Sequence, residues 1–126
     1  MSDPVYERGM QVRREVLGDA HVDRASERTT DFTAEFQNLI TRLAWGEIWS
    51  RPGLDRKTRS AITLTAMVAL GRDEELAMHV RAALRNGLTS DEIKEVLLHA
   101  TVYCGVPAGN AAFAIAQRVL EEAASE

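Results

Sequence analysis

The sequence is poor in residues that several chemistries require. It contains one cysteine, Cys104, among 126 residues. A lone thiol excludes an intrachain disulfide and any zinc or iron–sulfur site built from several cysteines, and it fits a reducing compartment. Long apolar runs are also missing: no stretch approaches the roughly 18 apolar residues of a membrane span. The N-terminus, Met1 to Arg8, lacks the apolar core of a signal peptide. The expected location is therefore the cytoplasm, with no membrane partner. There is no excess of base either. The 15 Lys and Arg are outnumbered by 19 Asp and Glu, for a net charge of −4. A phosphate backbone demands a basic face, so nucleic acid is not an expected partner. His21, His79 and His99 form neither an H-E-x-x-H pattern nor a compact cluster with acids, so no metal is expected.

What is present points to a globular all-α protein. Hydrophobic residues make up 45% of the chain and charged residues 27%, and the length suits one domain over residues 1–126. A chain this short leaves much of its surface exposed, so self-association would add burial. Asp3-Pro4 sets a first helix, with the acid as cap and the proline where its missing N–H costs nothing, and Gly18 ends it. Asp19 to Arg28 has little apolar periodicity and reads as a linking segment. Thr29-Thr30-Asp31 then offers caps for a helix whose Phe32, Phe36, Leu39, Ile40 and Leu43 share a face. Trp45-Gly46-Glu47-Ile48-Trp49 extends or bends it, and Pro52-Gly53 stops it. Asp55 caps a third helix, Arg56 to Leu70, so apolar that burial on most sides is expected. A fourth runs from Asp73 to a left-handed cap at Asn86-Gly87, and Thr89-Ser90-Asp91-Glu92 matches a capping box opening a fifth. Pro107 begins a sixth whose small residues, among them Gly109, Ala112 and Ala116, permit close backbone approach.

Candidate chemistry lies where ionisable residues adjoin apolar stretches: Arg59, Arg72, Glu75 and His79. Glu75 and His79 are four apart, so a carboxylate and an imidazole share a helix face, with Arg72 three residues before the acid on the same side. Spacing alone favours a solvated ion pair here. Two features argue for more: the preceding helix is strongly apolar, and it starts with Arg56-Lys57-Thr58-Arg59, which sets cations against the helix dipole. Arg56 and Lys57 read as solvated bases beside acids such as Asp55. His99 reads as a hydrogen-bonded core histidine, His21 as solvated, Cys104 as a buried structural thiol, and Trp45, Trp49 and Tyr103 as core or interface anchors.

Several segments, in order along nearly the whole chain, carry a resemblance: Trp45 to Ser60, Ala69-Leu70-Gly71-Arg72, Glu75-Leu76 followed by His79, and Tyr103-Cys104-Gly105-Val106-Pro107-Ala108. Together they resemble the 4-carboxymuconolactone decarboxylase family, part of a helical superfamily shared with the alkylhydroperoxidase-D proteins. Peroxidases of that superfamily carry C-x-x-C-x-x-x-H. Here Arg72, Glu75 and His79 occupy those slots, and Ser60 stands where the peroxidases have an upstream glutamate. The resemblance implies an alkylhydroperoxidase-D-like helical fold, a homo-oligomer that is commonly hexameric, and decarboxylation of 4-carboxymuconolactone to 3-oxoadipate enol-lactone in protocatechuate catabolism, without a cofactor. In that setting His79 is expected to donate a proton, Glu75 to orient it, and Arg59 with Arg51 or Arg72 to hold substrate carboxylates. A thiol peroxidase or disulfide reductase of the superfamily, and a non-catalytic helical assembly module, are the competing expectations.

Overall fold

The computed structural model describes residues 3–126. Within them the chain is helical with no strand, and it forms two compact units, Met1–Leu54 and Asp55–Glu126. Seven α-helices are present among the described residues, one more than the sequence predicts.

In the first unit α1 spans Pro4–Leu17, with Asp3 accepting from the Tyr6 N–H at 3.2 Å and Gly18, at φ 90°, ending it. The segment read as a linker is instead α2, Asp19–Arg28. The expectation failed because this helix does not depend on an apolar face: only Val22 is buried. Its stability comes from good helix formers, an acid in its first turn and a base in its last, and ion pairs from Arg14 to Asp19 and Asp23 at 3.0 and 2.9 Å. His21 is consequently half-buried on α2 rather than solvated. Helix α3, Ala34–Ile40, continues into a π-helical segment, Thr41–Ile48, so the predicted extension through Trp45 holds but with a wider winding. The Trp49 N–H bonds five residues back, to the Ala44 carbonyl at 2.8 Å. This segment lies backbone-to-backbone against α1. A Cβ on Gly9 would sit 2.1 Å from the Thr41 carbonyl oxygen, and one on Gly46 2.6 Å from that of Val5.

The second unit contains α4, Arg56–Leu70; α5, Asp73–Arg85; α6, Ser90–Cys104; and α7, Val106–Ala124. Three boundaries carry the predicted device. Asp55 caps α4, accepting from the Thr58 N–H at 2.7 Å. Gly87, at φ 98°, closes α5 while the Leu88 N–H reaches the Ala83 carbonyl at 3.0 Å. The Thr89–Glu92 capping box opens α6 with both reciprocal bonds made. On α7 the close approach comes through Gly109, whose added Cβ would lie 2.2 Å from Thr101 Oγ1, and through buried Ala112 and Ala116. The core joins all four helices through Leu64, Leu76, Val80, Ile93, Leu97 and Val119, none more than 2% exposed. Burying each stabilises by about 1.5–3 kcal/mol.

Helix α4 departs from expectation. It buries one stripe, Ser60, Leu64 and Val68, while Ile62 and Leu70 are 55% and 63% exposed. Likewise the apolar face of Phe32, Phe36, Leu39 and Leu43 is exposed. An apolar run specifies that a surface avoids water, but whether the same chain covers it depends on the packing of the other helices.

Candidate functional site

The site begins at the N-terminus of α4, which Asp55 caps. Hydrogen bonds from the hydroxyl and backbone N–H of Thr58 hold the Asp55 carboxyl below the usual carboxylate range, which fixes the first turn of α4. Lys57 in that turn pairs with Glu92 at 3.2 Å and remains largely exposed, matching its expected role as a solvated base. Arg59 behaves differently: it is half-buried, and its Nε is shielded from solvent. Next to it Ser60 is 1% exposed and accepts a 2.8 Å hydrogen bond from Asn86 Nδ2.

Helix α5 packs on α4 and carries the expected acid and imidazole one turn apart. Glu75 is exposed in the first turn beside Asp73 and Glu74, where negative charge complements the helix dipole. His79 is half-buried, and its Nδ1, like the Nε of Arg59, is shielded from solvent. Arg72 is exposed and stands at the N-cap, with φ −90° and ψ 80°, so it precedes the α5 spiral instead of lying on its face with Glu75. Arg51 is exposed and belongs to the other unit. The adjacent helices α4 and α5 thus carry Arg59 and His79, each with a side-chain nitrogen withdrawn from water, while Glu75 and Arg72 lie toward solvent.

A second feature was not anticipated. An open cleft of about 630 Å³ runs along the junction of α4 and α6, lined by Ala61, Ile62, Thr65, Ala66 and Ala69 on one side and Glu95, Val96 and His99 on the other. His99 is exposed there, with its ring centroid 5.2 Å from that of Tyr103, so the expectation of a core histidine is wrong. Neighbouring leucines in sequence suggested burial, but on a helix His99 points away from the stripe of Ile93, Leu97 and Ala100 that meets the core. The available signal was Glu95-x-x-x-His99, the same spacing as Glu75 and His79. Cys104 is half-buried rather than sealed, and Trp45 is buried with its ring 5.2 Å from that of Trp49. Among the described residues no group of three or more His, Cys, Asp or Glu is arranged to hold a metal ion, and no helix is long and apolar enough to cross a membrane.

Comparison with known proteins adds to this geometry. Residues 34–118 match the model of the carboxymuconolactone decarboxylase family. The chain is 53% identical over 117 residues to 4-carboxymuconolactone decarboxylase of Acinetobacter baylyi, covering 93% of this chain and 87% of that protein. It is 43% identical over 118 residues to nitrosuccinic acid decarboxylase of Metarhizium robertsii, covering 94% and 82% respectively. A 42-residue stretch, 33% of this chain and 88% of the matched protein, is 64% identical to 4-carboxymuconolactone decarboxylase of Pseudomonas putida.

Proposed function

Because the chain belongs to the carboxymuconolactone decarboxylase family, we propose that it converts 4-carboxymuconolactone to 3-oxoadipate enol-lactone and carbon dioxide, as a carboxy-lyase of protocatechuate catabolism in the cytoplasm. The two long matches are both to decarboxylases, and the more similar acts, by its name, on this lactone. Residues 1–126 form one carboxymuconolactone decarboxylase-like domain in this reading.

The chemistry suits side chains alone. When the C–C bond to the ring carboxylate breaks, its electron pair passes through the adjoining double bond into the lactone carbonyl, so the substrate is its own electron sink. The protein must hold carboxylates, stabilise the oxyanion and return one proton to ring carbon. His79 is the proton donor and Arg59 a carboxylate anchor; Glu75 orients the imidazole, and Arg51 or Arg72 completes the anion site. The supporting observation is the shielding of Arg59 Nε and His79 Nδ1 on packed helices. Groups withdrawn from water interact more strongly with charge than solvated ones do.

Self-association as a homohexamer is part of the proposal. The support is apolar surface bare in the single chain: Phe32 is 95% exposed, and on α6 Val102 and Tyr103 are 76% and 78% exposed. Light scattering should return six times the chain mass of 13.9 kDa.

The deciding experiment follows ultraviolet absorbance of the lactone on adding purified protein with no metal or nucleotide supplied. Decay well above the uncatalysed rate is expected. An unchanged rate excludes the activity.

A further inference from the structure

Helix α1 carries an arginine that neither the proposed reaction nor the ion pairs of the fold employ. Arg13 is 8% exposed, yet among the described residues no carboxylate pairs with it. Its Nη1 donates to Thr41 Oγ1 and its Nη2 to Gln37 Oε1, each at 3.1 Å, and both acceptors are neutral. Its Nε–H is buried and meets no acceptor. A guanidinium has five N–H donors and cannot shed its charge near neutral pH, and a buried cation without a counter-ion is costly. Burial is the main influence on Arg13, pulling its pKa down, and its positive charge in turn lowers that of His21.

The cation stands at a pocket. Arg13 lines a cavity of about 270 Å³ between α1, α2 and α3, together with Tyr6, Ser26 and Asn38, each of which carries a side-chain donor. No acidic residue lines it. We propose that this pocket binds a small carboxylate, whose charge offsets the Arg13 guanidinium and whose oxygens accept from the donors that line the cavity. A monocarboxylate suits the site better than phosphate because one buried cation balances one negative charge, and the volume is sufficient for a small organic acid. The pocket belongs wholly to the unit Met1–Leu54, and none of the residues given a role in the proposed reaction lines it.

The test follows the Arg13 Nε–Hε resonance of the intact protein by nitrogen–proton correlation spectroscopy during titration with propionate. Propionamide, chloride and phosphate serve as separate comparisons. Propionate should give a saturable shift that propionamide, its neutral isostere, and chloride at equal ionic strength do not reproduce. Arg13→Gln should weaken propionate binding, measured by calorimetry, by about tenfold or more, the scale of one charge-assisted hydrogen bond. Tyr6→Phe removes a single lining hydroxyl and should weaken binding severalfold, which keeps the test decisive if Arg13→Gln fails to fold. Equal responses to propionate and propionamide, or an unsaturating response shared with chloride, would overturn the proposal and leave Arg13 a purely structural cation. Saturation by phosphate at lower concentration than propionate would overturn the carboxylate assignment.

Discussion

The Asn86 side chain, at the C-terminal cap of α5, reaches back 26 residues to donate a 2.8 Å hydrogen bond to Ser60 Oγ on α4. It ties the end of the helix that carries His79 to the residue beside Arg59. Ser60 is buried, so removing its hydroxyl leaves a donor without its partner. Ser60→Ala should destabilise the fold by about 1–3 kcal/mol, read as a lower midpoint in urea at unchanged slope. A midpoint equal to that of the unmodified protein would show that the bond contributes nothing net.

His79→Gln keeps a polar side chain but cannot deliver a proton as imidazole does. Turnover of the lactone should fall by roughly 10²–10⁴ with the circular dichroism spectrum unchanged. Arg59→Ala should act mainly on KM, because losing an anchor for a carboxylate already present in the ground state removes binding shared by substrate and transition state. Near-normal turnover in the first variant removes His79 from proton delivery; unchanged KM and kcat in the second leave Arg59 a structural role.

Gly9 allows α1 to lie against the π-helical segment with no side chain between them. Gly9→Ala would push a methyl group to 2.1 Å from the Thr41 carbonyl oxygen, a backbone atom that cannot swing aside. A loss of about 1–3 kcal/mol is expected from overpacking. Thermal unfolding of Gly9→Ala alongside Gly53→Ala gives an internal control, since an added Cβ at Gly53 meets nothing within 4 Å. Equal melting temperatures for the two would mean that the backbone contact is not as close as described.

His21 supplies a pH dependence of defined sign. Burial first, and then the charges of Arg13, Arg24 and Arg28, lower its pKa below the ordinary 6.5. Below that value the unfolded chain takes up a proton at His21 more readily than the folded one. Stability from neutral His21 is therefore present above pH 6.5 and lost as pH falls through the lower folded value. Denaturant unfolding between pH 7.5 and about pH 5 should show falling stability, with a shallower fall in His21→Gln. Identical slopes for the two proteins would contradict the burial of the ring.

Helix boundaries were legible in the sequence wherever a local device sets them. Asp3-Pro4, Asp55, Asn86-Gly87 and Thr89 with Glu92 act over a few residues, so their types and spacing suffice to place the ends of α1, α4, α5 and α6. Helix α2 was not legible, because charge pairing and propensity maintain it without an apolar stripe. The same limit applies to the candidate site. The i,i+4 spacing of Glu75 and His79 places them on one face of a helix, but it does not state which of them loses contact with water.

That division has one physical cause. Capping bonds, glycine turns and helix spacing are interactions between near neighbours, and the sequence by itself determined them, along with the family carried by its ordered motifs. Burial is a sum over distant segments, and only tertiary packing decided it: that Ile62 and Phe32 stay bare, that His99 faces an open cleft, and that Arg13 is enclosed beside Thr41, 28 residues away, without an acid to balance it.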